Sequence, residues 1–278
     1  MIHEMRYVNS RGDEIAFGGD RGVWRFGDTD LFDISAKHEE VGGVIVGFDA
    51  GITNSTLSVF MRSGTVDERN RLIDVISYDR RVMSPGRLYA GESYLECYIS
   101  GHALTDWQWF DGMLNADLEV TSDHPAWIRS VPQTLYTVDE LEYGGHNYPY
   151  DYPHNYLYSA GTSMNITNPF MLPAACDIVF PGPCVNPYVI IAGNRYQVNV
   201  SADKGQLIIV KGFGKPGKKG IFLRSATGQD RKIFAAGVRE PNAQIYAQIP
   251  VGTHIASWTG RMNIEVIMYE ERSSPWQT

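Results

Sequence analysis

The segment Gly212–Lys219 has the residue spacing of a phosphate-binding loop up to its last position. Such a loop needs Ser or Thr after its lysine to hold Mg²⁺, and Lys219 stands there instead. It also needs a following helix whose N-terminal amides meet the phosphate. Because Gln206–Val210 and Gly220–Arg224 both have strand patterns, we interpret the segment as a hairpin loop and expect no cofactor.

Two histidines, His146 and His154, flank Asp151 in a tyrosine-rich segment. Zinc sites use closely paired ligands on one strand or at helical spacing, and this arrangement is neither. We therefore expect surface or interface histidines here and no metal site.

Acidic residues that could serve as paired catalytic carboxylates are Asp139, Glu140 and Glu142. Glycoside cleavage needs two carboxylates at a set distance, which a sequence does not reveal, and a solvated acidic turn explains these residues as well. No nucleophile elbow of the Gly-x-Ser-x-Gly type occurs, and no cysteine has a histidine near enough in sequence to suggest a catalytic dyad. We expect no catalytic residue, so the sequence favours a protein that is not an enzyme.

The three cysteines are too few and too oddly numbered for a disulfide framework. Cys97 alternates with apolar residues and is expected to be a buried thiol. Cys176 and Cys184 flank a proline-rich turn and could form a disulfide, although free thiols fit a protein made in a reducing cytoplasm better.

Length and composition predict an ordinary folded protein with two domains, since the chain has 278 residues, 43% hydrophobic and 20% charged. A net charge of −8 argues against sequence-specific nucleic-acid binding, which needs clustered Lys and Arg. The start of the chain has no apolar core, so we expect no signal peptide. The longest apolar run, Val41–Phe48, is too short to span a membrane.

One helix is predicted over residues 65–83, because Thr65 and Glu68 form a capping box and Pro85 follows its end. Its apolar stripe is expected to pack on a sheet. The stripe consists of Val66, Leu72, Ile73 and Ile76.

Period-two alternation predicts strands through most of the rest of the chain. The N-terminal half begins with a hairpin over residues 5–17 and contains a segment, 18–43, that shows no period and is interpreted as a long ordered loop. Exposed aromatic residues in such a loop need a partner surface, which makes three of them interface candidates. These are Trp24, Phe26 and Phe32.

Six of the sixteen tyrosines lie between Tyr143 and Tyr158. A segment with this many aromatic residues is expected to pack against a domain or a neighbouring subunit rather than to be a free linker. Its interface candidates are Tyr148, Tyr150 and Tyr152. Beyond it, turn signals recur at the spacing of an all-β sandwich, and about eight strands suggest a jelly roll.

Several short segments, each only a strand or turn signature, occur in a characteristic order. They are Tyr7–Asp13, Glu68–Leu72, Gly86–Tyr89, Ser93–Ile99, Asp123–Pro125, Phe180–Pro187 and Tyr269–Trp276. In order and spacing they resemble the distal tail protein family of siphovirus-type bacteriophages, a tail-tip or baseplate hub component, over almost the whole chain.

The resemblance implies a mostly β protein of two sandwiches. An N-terminal ring-forming sandwich with the packed helix would cover residues 1–135, the tyrosine-rich connector 136–165, and a galectin-like jelly-roll sandwich 166–278. It further implies a structural protein of the virion, at the distal end of the tail, that forms a homo-oligomeric ring, expected to be a hexamer. The ring would join the tail tube protein to a tail-associated fibre or lysin protein, with the tape-measure protein near the channel.

A carbohydrate-binding module that contacts the host cell wall through the C-terminal sandwich is the alternative. Its candidate sugar-stacking residues are Trp258 and Tyr246, although aromatic residues at such positions are more often part of a core. The residues with which galectins grip galactose are missing from the matching strands.

Overall fold

The computed structural model describes residues 4–19, 24–33, 37–49, 51–61, 66–108, 113–137, 162–214, 218–258 and 262–275. The chain divides into two compact units. Unit 1 comprises Met1–Arg129 and Glu271–Thr278, and unit 2 comprises Ser130–Glu270. Most of the predicted connector, including His146, His154 and the interface candidates Tyr148, Tyr150 and Tyr152, lies outside the described residues. The predicted domain boundaries therefore stay a prediction.

The described part of the chain is mostly β-strand with one α-helix, as the sequence predicted. The elements that begin in unit 1 are β1 (Glu4–Val8), β2 (Glu14–Gly18), β3 (Trp24–Thr29), β4 (Lys37–Val41), β5 (Val44–Asp49), β6 (Thr53–Met61), α1 (Val66–Val82), β7 (Gly86–Ala90), β8 (Ser93–Gln108), β9 (Met113–Ser122) and β10 (Trp127–Leu135).

Seven strands of unit 1 form a sheet that closes on itself. Their order is β8-β7-β1-β2-β3-β6-β9, and β9 pairs with β8 again. All pairs are antiparallel except β2 with β3, which meet in parallel at Phe17 and Trp24. Alternation of side chains predicts these strands except β3, and it does not predict this closure, which depends on pairing between strands distant in sequence.

The segment 18–43, predicted to be a loop, contains β3 and β4, so that prediction is wrong. The register of β3 against β6 shifts between Phe26 and Thr29. A β-bulge of this kind inserts an extra residue and breaks period-two alternation, which explains why the sequence shows no period there.

The helix α1 covers one side of the unit 1 core. It buries Leu72, Val75, Ile76 and Asp79, which lie at i, i+3, i+4 and i+7. The predicted stripe is therefore partly wrong, because Val66 is exposed whereas Val75, which was not part of the predicted stripe, is buried. The buried face includes a carboxylate, which a search for apolar periodicity passes over.

Asp79 connects α1 to the β1–β2 hairpin. Its Oδ2 accepts a hydrogen bond from the hydroxyl of Tyr7 at 2.5 Å, and its Oδ1 accepts bonds from the backbone N–H and the hydroxyl of Ser10 at 2.8 and 2.6 Å. Burial, aided by the bond to Asp79, raises the pKa of Tyr7. The side-chain amide of Asn9 donates to the carbonyl of Val75 on the same helix. Each polar group of this buried contact thus has a partner, as burial requires.

The helix ends at a left-handed residue. Met83 has φ of 53°, and the N–H of Ser84 donates to the carbonyl of Asp79 at 3.2 Å. This six-to-one bond is typical of a Schellman ending, although glycine is the usual residue at the left-handed position.

The described residues of unit 2 contain the end of β10 and thirteen further strands. These are β11 (Thr162–Asn168), β12 (Ala175–Pro181), β13 (Cys184–Val185), β14 (Tyr188–Ile191), β15 (Asn194–Gln197), β16 (Ser201–Ala202), β17 (Leu207–Lys211), β18 (Gly220–Arg224), β19 (Asp230–Lys232), β20 (Arg239–Glu240), β21 (Ala243–Gln244), β22 (Gly252–Trp258) and β23 (Ile264–Arg272).

Two sheets of unit 2 enclose one core. One has the order β19-β18-β17-β12-β23-β10 and the other β11-β22-β14-β15. Ile178 and Val266 from the first sheet and Val189 and Trp258 from the second belong to the same buried cluster. Whether the strand connections are galectin-like stays a prediction.

All three cysteines are buried and free of disulfides. Burial raises the pKa of each thiol, that of Cys176 to about 12. Within the described ranges, no helix combines the length and the apolar character needed to cross a bilayer.

Replacing Asp79 by alanine should lower the free energy of unfolding by about 3 kcal/mol, because the buried hydroxyl of Tyr7 loses its acceptor and the bonds to Ser10 are lost as well. Urea unfolding followed by near-UV circular dichroism measures this. The control is Asp74→Ala, an exposed aspartate of the same helix, which should change the free energy by less than about 0.5 kcal/mol. Equal effects of the two substitutions would show that the buried contact does not stabilise the unit.

Alkaline pH should destabilise the protein before its buried tyrosines and cysteines ionise in the folded state. In the unfolded chain, thiols lose their proton near about pH 8.5 and tyrosines near about pH 10, whereas burial raises the folded pKa of Cys97, Cys176, Tyr7 and Tyr196. Because the folded state holds these protons, each group removes up to about 1.4 kcal/mol per pH unit above its unfolded pKa. The urea midpoint should be flat from pH 7 to 8 and fall above about pH 9. A C97A/C176A variant should show a smaller fall between pH 8.5 and 9.5.

Candidate interaction surface

The hairpin of β4 and β5, residues 37–49, forms a two-stranded sheet of its own. Its strands pair from Lys37 with Asp49 to Val41 with Val44. The turn between them is Gly42-Gly43, and both glycines have positive φ, 63° and 81°. Two such residues form the type I′ turn that suits the twist of a hairpin. We call this element the exposed hairpin.

The exposed hairpin carries apolar side chains that stay more than half exposed. Those of the hairpin and of Ile52 just after it are 54% to 72% exposed. They are Val41, Val44, Ile45, Val46, Phe48 and Ile52. Pairing places Val41 and Val44 on one face and Ile45 on the other, so both faces are apolar. An isolated two-stranded hairpin is at best marginally stable in water, and a contiguous apolar surface of this kind marks an interaction site.

Charged residues lie beside this apolar surface. Glu39 and Glu40 are exposed, and neither forms an ion pair within the described residues. The exposed hairpin is therefore an apolar surface with an acidic border.

The sequence contains a signal for this element that period-two alternation does not detect. Val41-Gly42-Gly43-Val44 joins two strand-forming runs by two glycines, which is a hairpin signal. The polar run Lys37–Glu40 has no apolar alternation, so the strand on that side was not predicted.

The aromatic interface candidates of unit 1 differ in exposure. Trp24 is 3% exposed, and Phe26 and Phe32 are partly buried against the same cluster. The ring of Phe32 lies 5.8 Å from that of Trp127. Trp24 thus has no surface left for a partner, and an interface role for Phe26 and Phe32 stays a prediction.

The sugar-stacking candidates differ in exposure. Trp258 is 1% exposed, and its indole N–H donates to the carbonyl of Met262 at 3.1 Å, so neither ring face is available to a sugar. Tyr246 is partly buried, and its ring stacks on that of Phe234 at 6.3 Å between centroids. Sugar binding through Tyr246 stays a prediction.

The segment that has the spacing of a phosphate-binding loop connects β17 to β18, as the hairpin interpretation predicted. The backbone N–H groups of Gly212 and Phe213 donate to Oδ1 of Asp177 at 2.9 and 3.2 Å, and the hydroxyl of Tyr269 donates to its Oδ2. Burial raises the pKa of Asp177 although these bonds oppose it. A carboxylate of the chain itself thus occupies the amides that would meet a phosphate.

Groups of three or more His, Cys, Asp or Glu that could hold a metal are not found in the described ranges. Asp139, Glu140 and Glu142 lie outside those ranges.

Three solved structures are similar to the whole chain. The first is the SPP1 Dit (gp 19.1) protein, described as a paradigm of the hub adsorption apparatus in phages that infect Gram-positive bacteria. Its TM-score is 0.53 at 10% sequence identity, and the match covers 96% of this chain and 98% of that one. The others come from the phage P2 baseplate in its activated conformation, with Ca and with Sr. Their TM-scores are 0.57 and 0.58, each at 11% identity and covering 99% of this chain and 100% of the other.

The chain has the fold of a phage Dit protein. The resemblance seen in the sequence is therefore confirmed at the level of fold. No protein-family model matches the chain, and no curated protein matches it in sequence. At 10–11% identity, the Dit fold is what the comparison establishes, and the hub and baseplate roles are those of the similar proteins.

Replacing Phe48 by serine should leave the stability of dilute protein unchanged to within about 0.5 kcal/mol, because its ring buries little within the chain. Leu57→Ala, in the unit 1 core, should cost about 3 kcal/mol. Urea unfolding measures both. A loss for Phe48→Ser as large as that for Leu57→Ala would mean that the hairpin packs on the chain, which contradicts its role as an interaction surface.

Proposed function

We propose that this chain is a structural component of a phage tail tip, located in the virion at the distal end of the tail. The observation that carries the proposal is the likeness to hub and baseplate proteins over 96–99% of this chain and 98–100% of theirs. A match of this extent includes both units, so it concerns a whole architecture rather than a common β module.

Unit 1 is proposed to form a homo-oligomeric ring, a hexamer, that joins the tail tube to the host-adsorption apparatus. The exposed hairpin supports this, because its uncovered apolar side chains need a partner in the assembled state. Proteins of one kind associate most often with closed symmetry, and a head-to-tail contact closes a ring when the rotation permits.

The partners proposed for the ring are the tail tube protein on one side and a tail-associated fibre or lysin protein on the other, with the tape-measure protein near the channel. The work of such a component is geometric, since it holds other proteins in register and needs no catalytic residue. The similar proteins are structural components of hubs and baseplates, which is consistent with a role other than catalysis.

Unit 2 is proposed to be a galectin-like sandwich. Its two sheets around one core support this assignment. The alternative function, binding of a cell-wall sugar, loses one of its two stacking candidates because Trp258 is buried.

Native mass spectrometry of the purified full chain should show a hexamer, alone or together with the tail tube and fibre or lysin proteins encoded beside it. Negative-stain microscopy should show these oligomers as closed rings, and antibodies against the chain should label one end of the phage tail. A chain that stays monomeric under all these conditions and labels no tail would contradict the proposal.

A further inference from the structure

Unit 1 exposes a second apolar surface at the end of α1, formed by Arg81, Val82 and Met83. All three are exposed, and Met83 is 77% exposed. We call this surface the helix end. Val82 is 46% exposed, and the guanidinium of Arg81 forms no ion pair within the described residues.

Met83 is an unusual residue for its position. Its φ of 53° lies in the left-handed region, where a side chain is disfavoured and glycine is preferred. An exposed methionine gains nothing from packing that would offset this cost. Neither backbone conformation nor packing within the chain therefore explains a methionine at the helix end, whereas contact with another molecule would.

The helix end and the exposed hairpin complement each other in charge. The hairpin presents Glu39 and Glu40 beside apolar residues, whereas the helix end presents Arg81 beside apolar residues. Opposite charges at the borders of two apolar surfaces favour one register and orientation of docking.

We propose that the exposed hairpin of one copy docks on the helix end of a second copy. Ile45 and Phe48, which pair with Glu40 and His38 on one face of the hairpin, would cover Val82 and Met83, and Glu40 would lie near Arg81. This inference rests on the proposed function, and it assigns the residues through which the copies join.

A second copy is the occupant that fits both surfaces at once. The two surfaces do not cover each other within one chain, since both remain exposed. Every copy carries one of each, so the contact is head-to-tail and repeats from copy to copy. A different partner protein would leave one of these surfaces uncovered or would need a site for each.

Cross-linking tests the contact directly, because the native cysteines are buried and should not react in the folded protein. A mixture of Ile45→Cys and Met83→Cys chains, mildly oxidised, should give a disulfide-linked dimer. Neither variant alone should do so, since Ile45 faces Met83 of the neighbour and not another Ile45. Met171→Cys, an exposed methionine of unit 2, replaces Met83→Cys in the control mixture and should give no dimer.

Charge reversal tests the same contact by affinity, read from sedimentation velocity over a range of concentrations. Glu40→Arg and Arg81→Glu should each weaken self-association about 10-fold, and the chain with both substitutions should return to within about 3-fold of the original. Phe48→Ser should weaken it about 10- to 100-fold. Glu240→Arg makes the same change of net charge on exposed β20 of unit 2 and should have little effect.

The outcomes separate this inference from the proposed function. If the original chain associates but the mixture does not cross-link, or the double reversal does not restore affinity, the assigned contact is wrong while the tail-tip role stands. Efficient cross-linking of Ile45→Cys alone would mean a hairpin-to-hairpin contact and would overturn the assignment. The assignment would also be overturned if the tail tube protein covered the exposed hairpin while the chain did not associate with itself. A chain that never associates overturns both proposals.

Discussion

The carboxylate of Asp79 is the constraint on which unit 1 depends. It is fully buried, and it accepts hydrogen bonds from Tyr7 and Ser10, so the only helix of the described unit is fixed to the first hairpin at one point. A Cβ added to Gly86 would lie 2.5 Å from Asp79 Oδ2, so the chain that leaves α1 for β7 passes against the same group. A buried carboxyl group is tolerated only when hydrogen bonds satisfy its oxygens, and here those bonds set the position of the helix on the sheet.

In unit 1, the residues that stabilise the fold are different from those exposed for contact with other molecules. Its large apolar residues, such as Tyr7, Phe17 and Leu57, are buried in the closed sheet, whereas the exposed hairpin adds almost nothing to that core. The hairpin can therefore change with little cost to folding, while substitutions in the core affect folding first. The same division explains why Trp24, which the sequence suggested for an interface, is in the core instead.

The sequence predicted the local elements well and their closure poorly. The capping and stop signals located α1 to within a residue or so, and alternation located strands such as β6 and β9. The stripe of α1 was misassigned at Val66 and Asp79, because apolar periodicity records which residues are apolar and not which hydrogen bonds a buried carboxylate makes. The hairpin signal at Gly42-Gly43 was present in the sequence, but the polar strand before it hid the element. Which strands pair across the sheet depends on contacts distant in sequence, and no local pattern encodes them.

A sheet that closes on itself leaves little strand edge to which another molecule could add a strand. Open sheets offer unpaired N–H and C=O groups along their outer strands, and such strands can add to those of another molecule without limit. In the ring of β8, β7, β1, β2, β3, β6 and β9 every strand has two neighbours, so such groups stay unpaired mainly between β2 and β3, which meet only at Phe17 and Trp24. Many copies held side by side would therefore have little unpaired strand edge in this sheet through which fibres could grow. Contacts between copies would then depend mainly on side chains.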